Sequence, residues 1–251
     1  MQLTGKRYIV TGAGRGIGLA VAEAFLAEGA SVAMVDCSFP SRAQRLDGDF
    51  GSEYICDISE RVRVEATFRE ATTNKGGLDG LVNVAGVERR SLAEDIDDAE
   101  WDEVLNVNLR GTFLTNQTAF PYLKEHGGRI VNFGSDSGLV PHPGGGHYSA
   151  SKGGVIAWTR SIASEWGKYG ITANTVLPAM KTPMYEEHRQ RFSPEELVRF
   201  DEGIAARLPI GGQLGDPARD LAPVLIFLVS DASHFITGQL ISITGGLGMT
   251  R

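Results

Sequence analysis

Short apolar runs alternate with amphipathic helical stretches along almost the whole chain, and that alternation leaves few folds open. Arg7–Thr11 reads as a short buried strand, followed by a glycine-rich turn and an amphipathic helix over 17–26 that Gly29 closes. A second strand covers Ser31–Asp36. The pattern then repeats: a strand near Tyr54, a helix over 60–73, a strand over 81–85, a helix over 101–124 and a strand over 129–134. A helix over 148–168, a strand over 171–177, a helix starting near Pro217 and a strand over 239–243 complete the series. Strands that are apolar throughout are covered on both faces, and strand–helix–strand crossovers make neighbouring strands parallel. The expected fold is an α/β domain with a doubly wound parallel sheet.

The 251 residues suffice for one such domain, 1–251, and no linker divides them. Glycine makes up 32 of them, nearly twice the usual ~7%, and the excess lies between apolar runs, where tight strand-to-helix turns need it. A net charge of -7 without any block of Lys or Arg excludes nucleic acid and an anionic membrane surface as main partners. The longest apolar run, 221–229, is well short of the ~20 residues of a membrane span. The first residues run straight into a strand pattern instead of a signal peptide, so a cytoplasmic protein is expected. Cys37 and Cys56 are expected to be free, buried thiols. One segment, 183–208, breaks the alternation; it is charged and helical in pattern. It reads either as a solvated insertion or as a substrate lid, because ligands of such sheets bind outside the carboxyl ends of the strands, where it begins.

Thr11-Gly12-Ala13-Gly14-Arg15-Gly16-Ile17-Gly18 joins the first strand to the first helix. There the helix N-terminus offers unpaired N–H groups and a positive dipole end to a pyrophosphate. Asp36 ends the second strand, 18 residues past Gly18, where a carboxylate accepts hydrogen bonds from the ribose hydroxyls of an adenosine. Together these features point to a single Rossmann-type, dinucleotide-binding sheet of about seven strands with helices on both faces. Tyr148 and Lys152 stand four residues apart on one helix face, so the ammonium is expected to lower the phenol pKa and let it act as a base. Ser135 closes a strand thirteen residues upstream. No group of His, Cys and carboxylates has metal-ligand spacing, so no metal is expected. Trp101, Trp158 and Trp166 fall at helical spacings and read as packing or interface residues.

The Gly-x-x-x-Gly-x-Gly spacing together with Tyr148-Ser149-Ala150-Ser151-Lys152 resembles the classical short-chain dehydrogenase/reductase family, over nearly the whole chain. The resemblance implies that Gly12, Gly16 and Gly18, with Arg15 and Ile17 between them, hold the cofactor, and that Asp57 and Ile58 hold its adenine. Asn83, Ala85 and Gly86 match the family's strand-end motif, with Val84 in place of a second Asn. Ser135, Tyr148 and Lys152 become catalytic, and Asn108 anchors a relay water. Pro178, Met180 and Thr182 face the nicotinamide or the pyrophosphate, Ala179 standing where the family has Gly. The resemblance also places the loop of His142 at the substrate pocket and implies a homotetramer built through 101–124 and 148–168, while the apolar lid residues Met184, Tyr185, Phe192, Leu197, Phe200 and Ile204, with Leu139, Val140 and Met180, point to a largely apolar pocket.

The function expected on these grounds is an NAD-dependent oxidoreductase that interconverts a secondary alcohol and a ketone, with a small molecule as its partner. NADP is disfavoured: a 2′-phosphate beside Asp36 meets a like charge at several kcal/mol for an effective dielectric near ~20, whereas an exposed ion pair with Arg15 returns only about 0–1 kcal/mol. Two other classes share the glycine turn and the acidic residue: a catalytically silent dinucleotide-binding sensor or scaffold, and a nucleoside-cofactor methyltransferase. Neither needs Ser135, Tyr148 and Lys152 together.

Overall fold

The computed structural model of the protein describes residues 1–40, 51–190 and 192–248, without the side chains of Met184 and His188. The first half runs β1 (Arg7–Thr11), α1 (Gly16–Ala27), β2 (Ser31–Asp36), β3 (Gly51–Ile55), α2 (Arg61–Lys75), β4 (Gly80–Asn83), α3 (Asp98–Leu105) and α4 (Gly111–Leu123). The second runs β5 (Gly128–Phe133), α5 (Gly146–Trp166), β6 (Ile171–Pro178), α6 (Pro183–Arg189), α7 (Pro194–Ala205), α8 (Ala222–Val229) and β7 (Leu240–Ile243). All seven strands join one sheet in the order β3-β2-β1-β4-β5-β6-β7, and every pair is parallel. Among the described residues, no helix is long and apolar enough to cross a membrane.

Alternation along the strands sends successive side chains to opposite faces, and each face has its own core. On one, Tyr8, Val10, Val82, Val131 and Val176 pack with Val21 and Phe25 of α1 and Leu225 and Val229 of α8. On the other, Ile9, Leu81, Ile130 and Ala173 pack with Phe68 of α2, Leu123 of α4 and Ile162 of α5. The second face also carries polar side chains in register, since Thr11 lies opposite Asn83 and Asn83 opposite Asn132. Asn83 Nδ2 donates to Asn132 Oδ1 at 2.8 Å, and Asn132 Nδ2 donates to Asn116 Oδ1 of α4 at 2.9 Å and to Thr159 Oγ1 of α5 at 3.0 Å. Asn116 Nδ2 returns a bond to Asn132 Oδ1 at 3.1 Å. The network ties three strands to two helices without solvent exposure beyond 2% at Asn83.

Two expectations need correction. The helix foreseen over 101–124 is two helices, α3 and α4, joined by a π-helical turn over Asn106–Arg110. The strand foreseen over 81–85 ends at Asn83, because the Ala85 N–H leaves the ladder and donates to Thr11 Oγ1 at 3.3 Å. Both departures serve side-chain bonds that hydrophobic periodicity does not register.

If the buried amides lock the strands, Asn132→Ala strands the amide of Asn116 and the partners on either side. The expected loss is about 2–4 kcal/mol in urea unfolding with an unchanged m-value. A midpoint equal to that of the unsubstituted protein would show that the network is slack.

Candidate active site

The glycine turn is tight because the protein's own backbone crowds it. Gly12 has φ +68°, and a Cβ there would lie 2.7 Å from the Ala85 nitrogen. A Cβ on Gly18 would run into the Gly12 carbonyl oxygen. Beyond the turn, α1 begins without a side-chain cap and without an acidic residue in its first turn. The helix end is therefore an electropositive cradle of backbone N–H groups, as a pyrophosphate requires. Asp36 is built into the same cradle: its Oδ2 accepts from Gly14 N at 2.8 Å and its Oδ1 from Ser38 N at 3.2 Å. Ile17 packs against the core beneath the turn. These residues fit a dinucleotide.

Other residues expected around a dinucleotide have partners within the protein. Arg15 pairs with Glu187 of α6 (Nη1–Oε1 3.8 Å), both side chains well exposed, and so reaches across to the segment expected as a lid. Asp57 caps its own turn by accepting from Ser59 N at 2.9 Å and Ser59 Oγ at 2.7 Å. Ile58 is 5% exposed and packs beneath Gly111, so its side chain belongs to the core and only its backbone is left to meet an adenine. Asn83 likewise spends its amide inside the sheet. Met180 is 7% exposed and joins the α1/α8 core. Thr182 caps α6 by accepting from Tyr185 N at 3.1 Å, with Pro183 at the first helical position. Ala179, after Pro178, fills the family's glycine position without strain, since no non-glycine residue among those described has a positive φ. The expectation for Met184 falls on a side chain outside the described ones. Cys37 is exposed and only Cys56 is buried, because β2 ends one residue before Cys37; both are free thiols.

The reactive groups converge at the carboxyl end of β5. Gly134 ends the strand's ladder, and Ser135 follows in extended conformation, its Oγ accepting from Ser137 N at 3.2 Å, donating to Asp136 Oδ1 at 3.2 Å and standing near enough to Tyr148 to act on its phenol. Tyr148 lies in the first turn of α5, which starts at Gly146, two residues before the expected boundary. Four residues on, Lys152 is 5% exposed; its Nζ donates to Phe133 O at 2.8 Å and sits 5.7 Å from the centre of the Tyr148 ring. That single carbonyl leaves an ammonium with three donors short of acceptors in a buried place, a deficit that ribose hydroxyls of a bound dinucleotide would fill. Gly86 borders the same space, and a Cβ there would stand 3.1 Å from Asn108 Oδ1 and 3.4 Å from Lys152 Nζ.

The electrostatics reverse one expectation. Burial pushes the Tyr148 phenol well above its ordinary value, the Glu88 carboxylate adds to the rise, the Ser135 hydroxyl opposes it, and Asp136 adds to it again. Lys152 does not bring the phenol down in the cofactor-free protein; burial instead pushes its own ammonium down to about 8, with Glu88 pulling the other way. Tyr148 is therefore a neutral phenol near pH 7, a proton donor in waiting. Asn108 has its side chain engaged within the protein. The π-helical turn aims its fully buried side chain inward, where Oδ1 accepts from Val87 N at 2.8 Å. Its Nδ2 donates to Val87 O at 2.8 Å and Ser151 Oγ at 3.0 Å. Both amide protons are used, so the side chain pins the loop after β4 to α5, while its backbone carbonyl accepts from Thr112 Oγ1 at 2.8 Å.

Glu88 is the site residue that sequence reasoning missed. It meets His142 across 54 residues of chain, and no motif or periodicity joins the two. The His142 ring lies 6.1 Å from that of Tyr148. Of the expected apolar pocket, Leu139 and Val140 are exposed beside the site, while Tyr185, Phe192 and Phe200 stack on one another between α6 and α7.

A doubly wound parallel sheet with a phosphate cradle after β1 and a Ser–Tyr–Lys cluster at the end of β5 defines a dinucleotide-dependent oxidoreductase. Comparison with known proteins agrees. A family model described as enoyl-(acyl carrier protein) reductase matches residues 12–248. The 3-oxoacyl-[acyl-carrier-protein] reductase FabG of Thermotoga maritima is 37% identical over 98% of this chain and 99% of its own length. The (3R)-3-hydroxyacyl-CoA dehydrogenase of Rattus norvegicus is 36% identical over 99% and 98%. The crystal structure of levodione reductase superposes with a TM-score of 0.87 at 31% identity, covering 97% of this chain and 98% of that one. The chain belongs to the classical short-chain dehydrogenase/reductase family, whose members use a nicotinamide dinucleotide.

The buried ammonium yields a signed pH prediction. Between about pH 8 and the ordinary lysine value of 10.5, the folded chain binds fewer protons at Lys152 than the unfolded chain. Its contribution to stability therefore rises with pH across that window, and below pH 8 the burial penalty is present in full. Lys152→Met is expected to stabilise the cofactor-free protein by about 1–3 kcal/mol near pH 7, an advantage that shrinks toward about pH 10. Urea melts of both proteins at the two pH values check it, and a constant gap would mean that the ammonium is not desolvated.

Proposed function

We propose that the protein is an NAD-dependent oxidoreductase that interconverts a secondary alcohol and a ketone. The reading is carried by Ser135, Tyr148 and the buried Lys152 meeting at the carboxyl end of β5, with the ammonium 5.7 Å from the centre of the Tyr148 ring. The nicotinamide dinucleotide supplies the hydride for reduction or takes it in oxidation. Gly12, Gly16 and Gly18, with Arg15 and Ile17 between them, bring backbone N–H groups to its phosphates, and Lys152 offers its two spare protons to a ribose. Ser135 Oγ donates to the carbonyl oxygen of a ketone, and Tyr148, neutral near pH 7, gives that oxygen its proton. Reduction is the direction for which the cofactor-free site is already protonated. In oxidation Tyr148 takes the hydroxyl proton instead, which requires a positive charge at the site to bring its pKa down.

NAD is favoured over NADP by Asp36, whose carboxylate is fixed to Gly14 and Ser38 and cannot swing away from a 2′-phosphate. Arg15, paired with Glu187, is not committed to such a phosphate. In this reading 1–251 is one nucleotide-binding domain. Within it 183–208 is the lid, hinged where Thr182 caps α6 and held together by the Arg189–Asp201 ion pair between α6 and α7. Assembly into a homotetramer through α4 and α5 goes with the aromatic cluster that Phe113, Phe120, Trp158 and Trp166 form between those helices.

Tyr148→Phe is expected to lower kcat/KM by at least about 10²-fold, while the dissociation constant for NADH, read by its fluorescence, stays within about threefold. Wild-type rates in that variant would remove Tyr148 from the reaction. With one substrate, kcat/KM is expected to favour NAD over NADP by more than about tenfold, and Asp36→Ala to narrow the ratio by a similar factor. An equal or better value with NADP would overturn the assignment.

A further inference from the structure

The reaction just described gives no task to a pair of side chains at the mouth of the site. Glu88 follows β4 and His142 precedes α5, and His142 Nε2 lies 3.2 Å from Glu88 Oε1. Both side chains are largely covered, at 29% and 22% exposure. The His142 ring lies 6.1 Å from the Tyr148 ring, and the Glu88 charge acts on both Tyr148 and Lys152. The pair thus stands beside the reacting position and not on the outer surface.

Its hydrogen-bonding capacity is only half used. Glu88 Oε1 accepts from both His142 Nε2 and Arg90 Nε, each at 3.2 Å. Among the described residues no hydrogen bond reaches Glu88 Oε2 or His142 Nδ1. In the neutral ring, with the Nε2 proton assigned to the bond with Glu88, Nδ1 is an acceptor. The open edge of the pair therefore presents two acceptors and no donor. A hydroxyl supplies the missing proton; a carbonyl, ether or thioester supplies none.

We propose that Glu88 and His142 form a recognition subsite for a second hydroxyl of the substrate, so that the enzyme acts on diols and the matching hydroxyketones in preference to simple secondary alcohols. The proposal rests on the alcohol–ketone reaction assigned above and names its substrate class. The second hydroxyl belongs on a carbon near the reacting one, because the His142 and Tyr148 rings are neighbours.

The test uses two matched pairs with NAD: cyclohexanol against 1,2-cyclohexanediol, and 2-butanol against 2,3-butanediol. In the unsubstituted enzyme each diol is expected to exceed its mono-alcohol in kcat/KM by about tenfold or more. In Glu88→Met and in His142→Phe the ratio is expected to fall to within about twofold of unity. The ratio is the readout because a change in the Glu88 field on Tyr148 alters both substrates alike and cancels. Equal values for diol and mono-alcohol, or a preference that survives in both variants, would overturn the subsite and leave the reaction standing. Absence of turnover with all four alcohols and with either nicotinamide cofactor would overturn the reaction and the substrate class together.

Discussion

The buried amide network from Thr11 through Asn83 and Asn132 to Asn116 and Thr159 is the constraint on which the site depends. A neutral hydrogen bond adds only about 0.5–1.5 kcal/mol net, but a buried partner left unpaired costs about 1–3 kcal/mol. The closed set therefore acts mainly by penalising every other register of β1, β4 and β5. Those three strands end at Thr11, Asn83 and Phe133, which lead into the glycine turn, the Gly86–Glu88 loop and Ser135. The same network holds α4 and α5, and α5 carries Tyr148 and Lys152. Strand ends and helix faces are thus set against one another before any ligand arrives.

Lys152 shows what that rigidity makes possible. Its ammonium is buried with one carbonyl for company, an arrangement that a looser site would relax by letting the side chain reach water. Held in place, it keeps unused donors aimed at a space that Gly86 leaves open. A bound ribose would then gain hydrogen bonds that displace no protein partner. Tyr148 is in a comparable position, a phenol raised by burial that gives up its proton to a substrate oxygen, or to a base once an added positive charge brings its pKa down.

Much of the architecture was legible from periodicity, because buried parallel strands leave continuous apolar runs and the helices between them leave amphipathic ones. The glycine turn, Asp36, Ser135 and Tyr148 lie at element ends and Lys152 one helical turn further on, where local spacing carries the information, and the structure brings them to one edge of the sheet. What escaped notice depends on contacts between distant segments. The break in the helix over 101–124 leaves the hydrophobic pattern intact, since its purpose is to turn Asn108 inward toward Val87 and Ser151. The burial of Ile58 follows from Gly111 and Lys152's bond from Phe133, neither of them near in sequence. Glu88 reads as one more charged loop residue until the fold sets it beside His142.

The π-helical turn at Asn106–Arg110 also makes chain length a structural variable. Such a turn holds one more residue than the α-helical path it replaces, and each residue of an α-helix advances the chain by about 100° around its axis. The faces of α3 and α4 are therefore out of phase by design. Shortening the segment by one residue anywhere between Trp101 and Asn116 would restore a straight helix, yet it would rotate Asn116 away from Asn132 or Asn108 away from Val87. Substitutions in this stretch can be tolerated one side chain at a time, whereas a deletion breaks the sheet network or the active-site loop at a stroke. Length, more than composition, is what this part of the chain must conserve.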